Sequence, residues 1–155
     1  MFSSPATIFS NVWVASGLFG WFMAQVCKLI SSFILRHRLD FSYLVSTGGM
    51  PSAHSSAVCA LACSVGLTEG FDSCPFALAF AVAAITMFDA ATLRLNAGRQ
   101  ARLLNEISQE LFQRHRIAHE PLKELLGHTR FEVFMGMIVG ICSAIPMVYW
   151  MRGLP

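Results

Sequence analysis

His54 and His128 are the residues of this chain best suited to covalent chemistry, and each stands in a polar setting. His54 follows the stretch Gly48-Gly49-Met50-Pro51-Ser52, a glycine-rich turn that leads into an apolar run. Pro51 suits the first position of a helix. Glycines let backbone N–H groups converge on an anion, and a helix N-terminus favours negative charge. His128 precedes Glu132 by four residues, a spacing that puts both on one face of a helix. A carboxylate so placed orients one imidazole nitrogen and leaves the other free to react. Lys28 and Arg94 supply cations, Gln25 shares a helical face with Lys28, and Asp89 precedes Arg94 by five residues. Together these residues describe a phosphate cradle with two histidines. Each has a plainer reading: Lys28 as a lysine snorkelling to an interface, Ser52 as a helix cap, either histidine as a structural hydrogen-bonding group. Their coincidence at one depth outweighs any one of them.

That depth is defined by a membrane. The 155 residues are 55% hydrophobic and 13% charged, against about 25% charged in soluble domains. A helix needs about 20 mostly apolar residues to span a bilayer. Four stretches meet or approach this: about 8–35, 51–67 (the shortest), 74–95 and 131–150. The short acidic turn 68–73 makes the second and third antiparallel neighbours. The expected fold is therefore an all-α, polytopic helical bundle forming a single domain over 1–155, with about four transmembrane helices. Leu103, Leu104, Ile107, Leu111 and Phe112 recur at helical spacing opposite Arg102, Glu106, Glu110 and Arg114. They predict an amphipathic cytoplasmic helix between the third and fourth spans, on the membrane surface or against the bundle. Pro121 opens a second short helix.

Lysine and arginine cluster in two loops. Arg36 and Arg38 lie in the first; Arg94, Arg99, Arg102, Arg114, Arg116, Lys123 and Arg130 lie in or beside the third. By the positive-inside rule both loops face the cytoplasm and both termini face away. All the candidate site residues then fall near the cytoplasmic face. The N-terminus lacks a basic region and its apolar run exceeds a signal-peptide core, so the first helix is expected to be retained. Net charge is +2, which gives no nucleic-acid footprint. Five cysteines without a CxxC pair read as small buried hydrophobes, Cys74 excepted. His115 and His119, followed by Glu120 and Glu124, lack an HExxH frame and read as a solvated face; no metal or other cofactor is expected.

The motifs resemble one family closely. Gly48 to Ser56 is similar to the GGMPSSHS block of the divergent PAP2 family. Asp89-Ala90 through Arg94, then Ala97-Gly98-Arg99-Gln100-Ala101, is similar to its DAxGVRRxAGxQA block. Leu126 to Val133, followed by Gly136 and Gly140, is similar to its LGHTPxEVxxGxxxG block, and Gln25 and Lys28 match an early QxxK. The likeness runs from about residue 20 to 145. It implies kinship with type 2 phosphatidic acid phosphatases and vanadium haloperoxidases, which carry the motifs KxxxxxxRP, PSGH and SRxxxxxHxxxD and, as phosphatases, need no metal. Carried over, His128 is the nucleophile, Glu132 its orienting acid and His54 the general acid. Lys28, Gly48, Gly49, Ser52 and Arg94 hold phosphate, with Gln25, Asp89 and Gln100 in support. The departures are specific: Leu35 and Arg36 stand where RP is expected, and Pro121-Leu122 where SR is expected. Thr92 replaces a usual glycine and Leu95 a usual arginine. The implied activity is hydrolysis of a membrane lipid phosphate. The implied setting is an integral protein of a bacterial inner membrane, its partners the bilayer and a lipid phosphate; a bundle this small is compatible with a homodimer. The rival reading is a non-catalytic anionic-lipid-binding or assembly protein that keeps the cradle.

Overall fold

Asn11 starts the first long helix. Its side-chain oxygen accepts hydrogen bonds from the backbone N–H groups of Trp13 (2.9 Å) and Val14 (3.4 Å), donors that have no partner inside a helix. Helix α1 runs Val12–Arg36. A 3-10 segment, Pro5–Ser10, precedes it. The first apolar stretch is thus divided at Asn11 and not continuous from Ile8. The computed structural model describes residues 5–36, 49–112 and 129–153. Four further helices follow: α2 (Ala53–Glu69), α3 (Cys74–Ala91), α4 (Leu93–Phe112) and α5 (Arg130–Arg152). The described residues contain no strand, and the fold is all-α. The helix expected after Pro121 lies outside the described residues.

Local chemistry sets the boundaries. Ser52 caps α2 by accepting from Ser55 N at 3.4 Å. Gly70, at φ 95°, ends that helix and donates its N–H to Gly66 O at 3.1 Å. Ser73 caps α3. The third apolar stretch does not continue to Leu95 as one helix: it breaks at Thr92, whose hydroxyl donates to Phe88 O at 2.5 Å. A threonine that bonds back to the preceding turn competes with the helical ladder.

Three described stretches are long and apolar enough to cross a membrane: Val12–Ile34, Cys74–Ser108 and Arg130–Arg152. Helix α2 has 17 residues, or about 25 Å at 1.5 Å per residue, short of the ~30 Å hydrocarbon core. It has a different role from the others. It packs against α1, α3 and α5 at once, and its buried residues are mostly alanine and serine. A helix shielded on three sides has little contact with lipid and does not need a greasy exterior. Helix α3 shows the reverse. Leu78, Phe80, Val82, Ile85 and Phe88 are each more than half exposed. A contiguous apolar face of that size suits a bilayer and not water.

The centre is held by close approach of backbones. A Cβ on Gly20 would lie 2.6 Å from Ala60 Cβ and 3.0 Å from Ser56 O. A Cβ on Gly140 would collide with Ser56 O, and one on Gly136 with Ser52 O. Ser56 Oγ donates to Gly20 O at 2.7 Å. In lipid, where apolar contact alone does not drive association, small residues and interhelical hydrogen bonds take over that work. Trp13 Nε1 donates to Thr68 Oγ1 at 2.7 Å, so α1 runs antiparallel to α2. Ser52 N donates to Glu132 O at 3.0 Å at one end of the bundle, and Arg152 pairs with Glu69 at 3.7 Å at the other, so α2 and α5 run parallel. The α2–α3 pair is antiparallel across the short turn at Gly70–Ser73, as expected.

Valine at Gly136 or Gly140 should lower stability by about 1–3 kcal/mol or more through overpacking. Gly17→Ala should be near neutral, because a Cβ there meets Ala57 O at an ordinary 3.5 Å. Thermal unfolding in detergent micelles checks the contrast; equal effects at all three sites would disprove the close packing.

Candidate functional site at one end of the bundle

Gln25, Lys28 and Ser32 sit on α1 at spacings of three and four, which stacks them on one side of the helix. All three are buried, Lys28 to 3% exposure. Lys28 therefore does not snorkel outward. A lysine inside a membrane bundle is costly unless another group compensates it. The charge of Glu132 acts on Lys28 and offsets part of that cost, which burial dominates. The first and last described helices thus carry opposite charges that act on one another.

The entry to α2 lies beside this pair. Gly49 has φ 91°, a conformation that favours glycine. Ser52 and Ser55 are fully buried. Ser55 Oγ donates to Ser52 Oγ at 3.1 Å, and Ser52 N donates to Glu132 O at 3.0 Å. The absent side chain of Gly136 is what lets Ser52 come so close to α5. The first turn of α2, with its positive dipole end, is thereby held next to the start of α5. His54 is exposed on that first turn.

Glu132 has a second role. Thr129 caps α5, with Glu132 N donating to Thr129 Oγ1 at 3.3 Å and Thr129 N donating to Glu132 Oε2 at 2.7 Å. This reciprocal capping box satisfies two helix-end donors. Thr129-x-x-Glu132 is its sequence signature, a signal that the family motif overshadows. Helix α5 begins at Arg130 behind its cap Thr129. His128, expected to share a helical face with Glu132, lies outside the described residues, as does Gly48.

The remaining candidates spread out. Asp89 is half-buried in the last turn of α3. Arg94 belongs to the first turn of α4, and its side chain lies outside the described residues. Gln100 is exposed on α4, and among the described residues α4 packs only on α3. Gln100 is therefore not brought to the layer formed by α1, α2 and α5. Leu103, Leu104 and Ile107 of α4 are 44–57% exposed, as befits an apolar face turned to a membrane surface. His115 and His119 lie outside the described residues, and among the described residues no three metal-ligating side chains come together. All five cysteines are free. Cys59 is buried, but Cys142 is exposed on α5: an apolar stretch in a membrane has a lipid-facing side as well as a buried one.

Comparison with known proteins bears on this site. The model of the divergent PAP2 family matches residues 9–143. The chain belongs to that family. YuiD, an uncharacterized membrane protein of Bacillus subtilis (strain 168), is 39% identical over an alignment covering 92% of this chain and 98% of YuiD. No solved structure matches. This divergent PAP2 protein is a membrane protein, and the matched region includes α1, α2, α3 and most of α5.

Thr129→Ala should cost about 1 kcal/mol, as loss of a cap usually does. Glu132→Ala should cost more, because it also leaves Lys28 without its carboxylate. Adding Lys28→Met to Glu132→Ala should recover about 1–3 kcal/mol. A double-mutant cycle of unfolding in detergent measures this; strict additivity would mean that the two charges do not interact.

Proposed function

We propose that this protein is a phosphatase of membrane lipid phosphates, working through a phosphohistidine without a metal. The observation that carries the reading is the buried Lys28 under the charge of Glu132, whose backbone is bonded to the capped entry of α2, with His54 on that same entry. A cation and a positive helix end in one layer are what a transferring phosphoryl group needs, since its charge spreads over the peripheral oxygens. The roles of the histidines rest on the family resemblance. His128 attacks phosphorus, a P–N bond forms and the P–O bond to the lipid breaks. His54 gives its proton to the leaving oxygen. Water then attacks the phosphohistidine, His54 takes the proton back and inorganic phosphate leaves. Glu132 steadies the positive layer, and Arg94 is assigned to the phosphate.

A lipid fits a site at a bundle end: the head group enters the polar layer and the tail stays in the bilayer. The two arginine-rich loops flank that end in the chain order, which supports a site on the cytoplasmic face with both termini opposite. A bacterial inner membrane is the setting we assign. One observation favours the rival, a lipid-binding protein without turnover. Leu35 and Leu122 stand where the related phosphatases have phosphate-holding arginines.

Phosphate release by the detergent-purified protein, with no metal added and a panel of lipid phosphates, separates the two. We expect turnover of at least one lipid, lowered roughly 10²–10⁴-fold by His54→Ala and abolished by His128→Ala. Lipid binding that survives both substitutions, with no phosphate released from any lipid, would establish the binding protein instead.

A further inference from the structure

A groove of about 490 Å³ opens along the outside of the α1–α2 pair. Val14, Gly17, Leu18 and Trp21 form its α1 wall. Ala57, Val58 and Leu61 form the α2 wall. The lining side chains are all apolar, and the groove extends about 10 Å from Val14 to Trp21 at 1.5 Å per residue.

Its direction is informative. On α1, Val14, Trp21 and Lys28 recur every seven residues and so lie along one side, drifting only ~20° per step. Gln25 is one turn inward from Trp21. On α2, His54 stands three and four residues before Ala57 and Val58, on the same side and one turn inward. The antiparallel register set by Ser56 and Gly20 keeps these turns level. Both walls therefore pass from apolar residues to the polar layer in a single turn. Lys28 lies on the same side of α1, two turns beyond Trp21.

Gly17 keeps it open. Gly20, one turn on, has no room for a Cβ, and its glycine is explained by packing. At Gly17 a Cβ would meet Ala57 O at 3.5 Å and Leu61 Cβ at 3.6 Å, ordinary contacts. Helix packing does not demand glycine there, whereas an unfilled slot does demand a small residue.

We propose that this groove seats one acyl chain of a phospholipid whose phosphate lies at the Lys28 end. The inference rests on the lipid-phosphate reading of the site and adds where the tail goes. A second copy of the chain fits less well. Seven residues line the groove, against about 20–30 on each side of a stable protein interface. An apolar slot with a buried ammonium two turns beyond it on α1, and the positive end of α2 one turn beyond it, complements an apolar chain carrying an anion.

Trp21 is 41% exposed and lines the groove, so it can report occupancy. With Trp13→Phe and Trp150→Phe it becomes the only tryptophan. The protein is reconstituted in phosphatidylcholine vesicles, and Trp21 fluorescence is followed as phosphatidic acid with brominated acyl chains is added. Brominated phosphatidylcholine at the same mole fraction is the control. Phosphatidic acid should quench several-fold more strongly. Lys28→Met should reduce it to the control level. Gly17→Leu should weaken the phosphatidic acid effect about tenfold, the loss of roughly two buried methylenes, while Gly17→Ala should retain most of it. Equal quenching by both lipids in the unfilled groove would overturn the proposal, whatever Gly17→Leu does to folding. So would Trp21 becoming shielded as the protein-to-lipid ratio rises, the mark of a second copy. Selective quenching without phosphate release from any lipid would sink the phosphatase reading alone; phosphate release without selective quenching would sink the groove alone.

Discussion

Ser56 holds the contact on which the bundle depends. Its carbonyl oxygen faces the bare Cα of Gly20 on α1 and that of Gly140 on α5, and its hydroxyl donates to Gly20 O. Neither approach leaves room for a side chain. Three backbones are therefore fixed in depth and rotation at one level of the membrane. The polar residues one or two turns away inherit that registration. The charge of Glu132 acts on Lys28 because α1 and α5 are both set against α2. Ser52 meets the start of α5 because Gly136 repeats the device one turn further on.

The same economy appears at Glu132. Its carboxylate closes the first turn of α5 and also provides the negative charge beside Lys28. One side chain thus caps a helix and offsets part of the cost of burying a cation. This ties the electrostatics of the layer to the position where α5 begins. A shift of the α5 start by even one residue would move the carboxylate away from both tasks.

Much of this was legible in the sequence, for reasons that differ by element. The long apolar spans declared themselves by composition, and Glu69 through Ser73 by turn chemistry. The depth shared by Gln25, Lys28, Ser52 and Glu132 followed from their places in the spans. The boundaries were less legible. Asn11 and Thr92 divide apolar runs through local hydrogen bonds that hydropathy does not register. The central place of α2 was also hidden. Its alanines and serines make it look like a weak span, although they are what a helix enclosed by three others requires. Gly17 and Gly20 look alike in sequence; only the neighbouring atoms separate a packing glycine from one that leaves a slot. The motif around His128 directed attention to a histidine–carboxylate pair, and the capping role of Glu132 emerged from the geometry of Thr129.

The charge of Glu132 on Lys28 has a consequence for biogenesis. Lys28 belongs to α1 and Glu132 to α5, so the ribosome delivers the lysine before the carboxylate. A lysine at the centre of an inserting helix costs up to roughly 3 kcal/mol, and less towards its end. Until α5 emerges, α1 carries that cost without its partner. It also lacks the Gly140 side of the Ser56 contact. The arrival of α5 supplies both the carboxylate and the Gly140 contact, and a chain truncated before α5 would leave α1 without either.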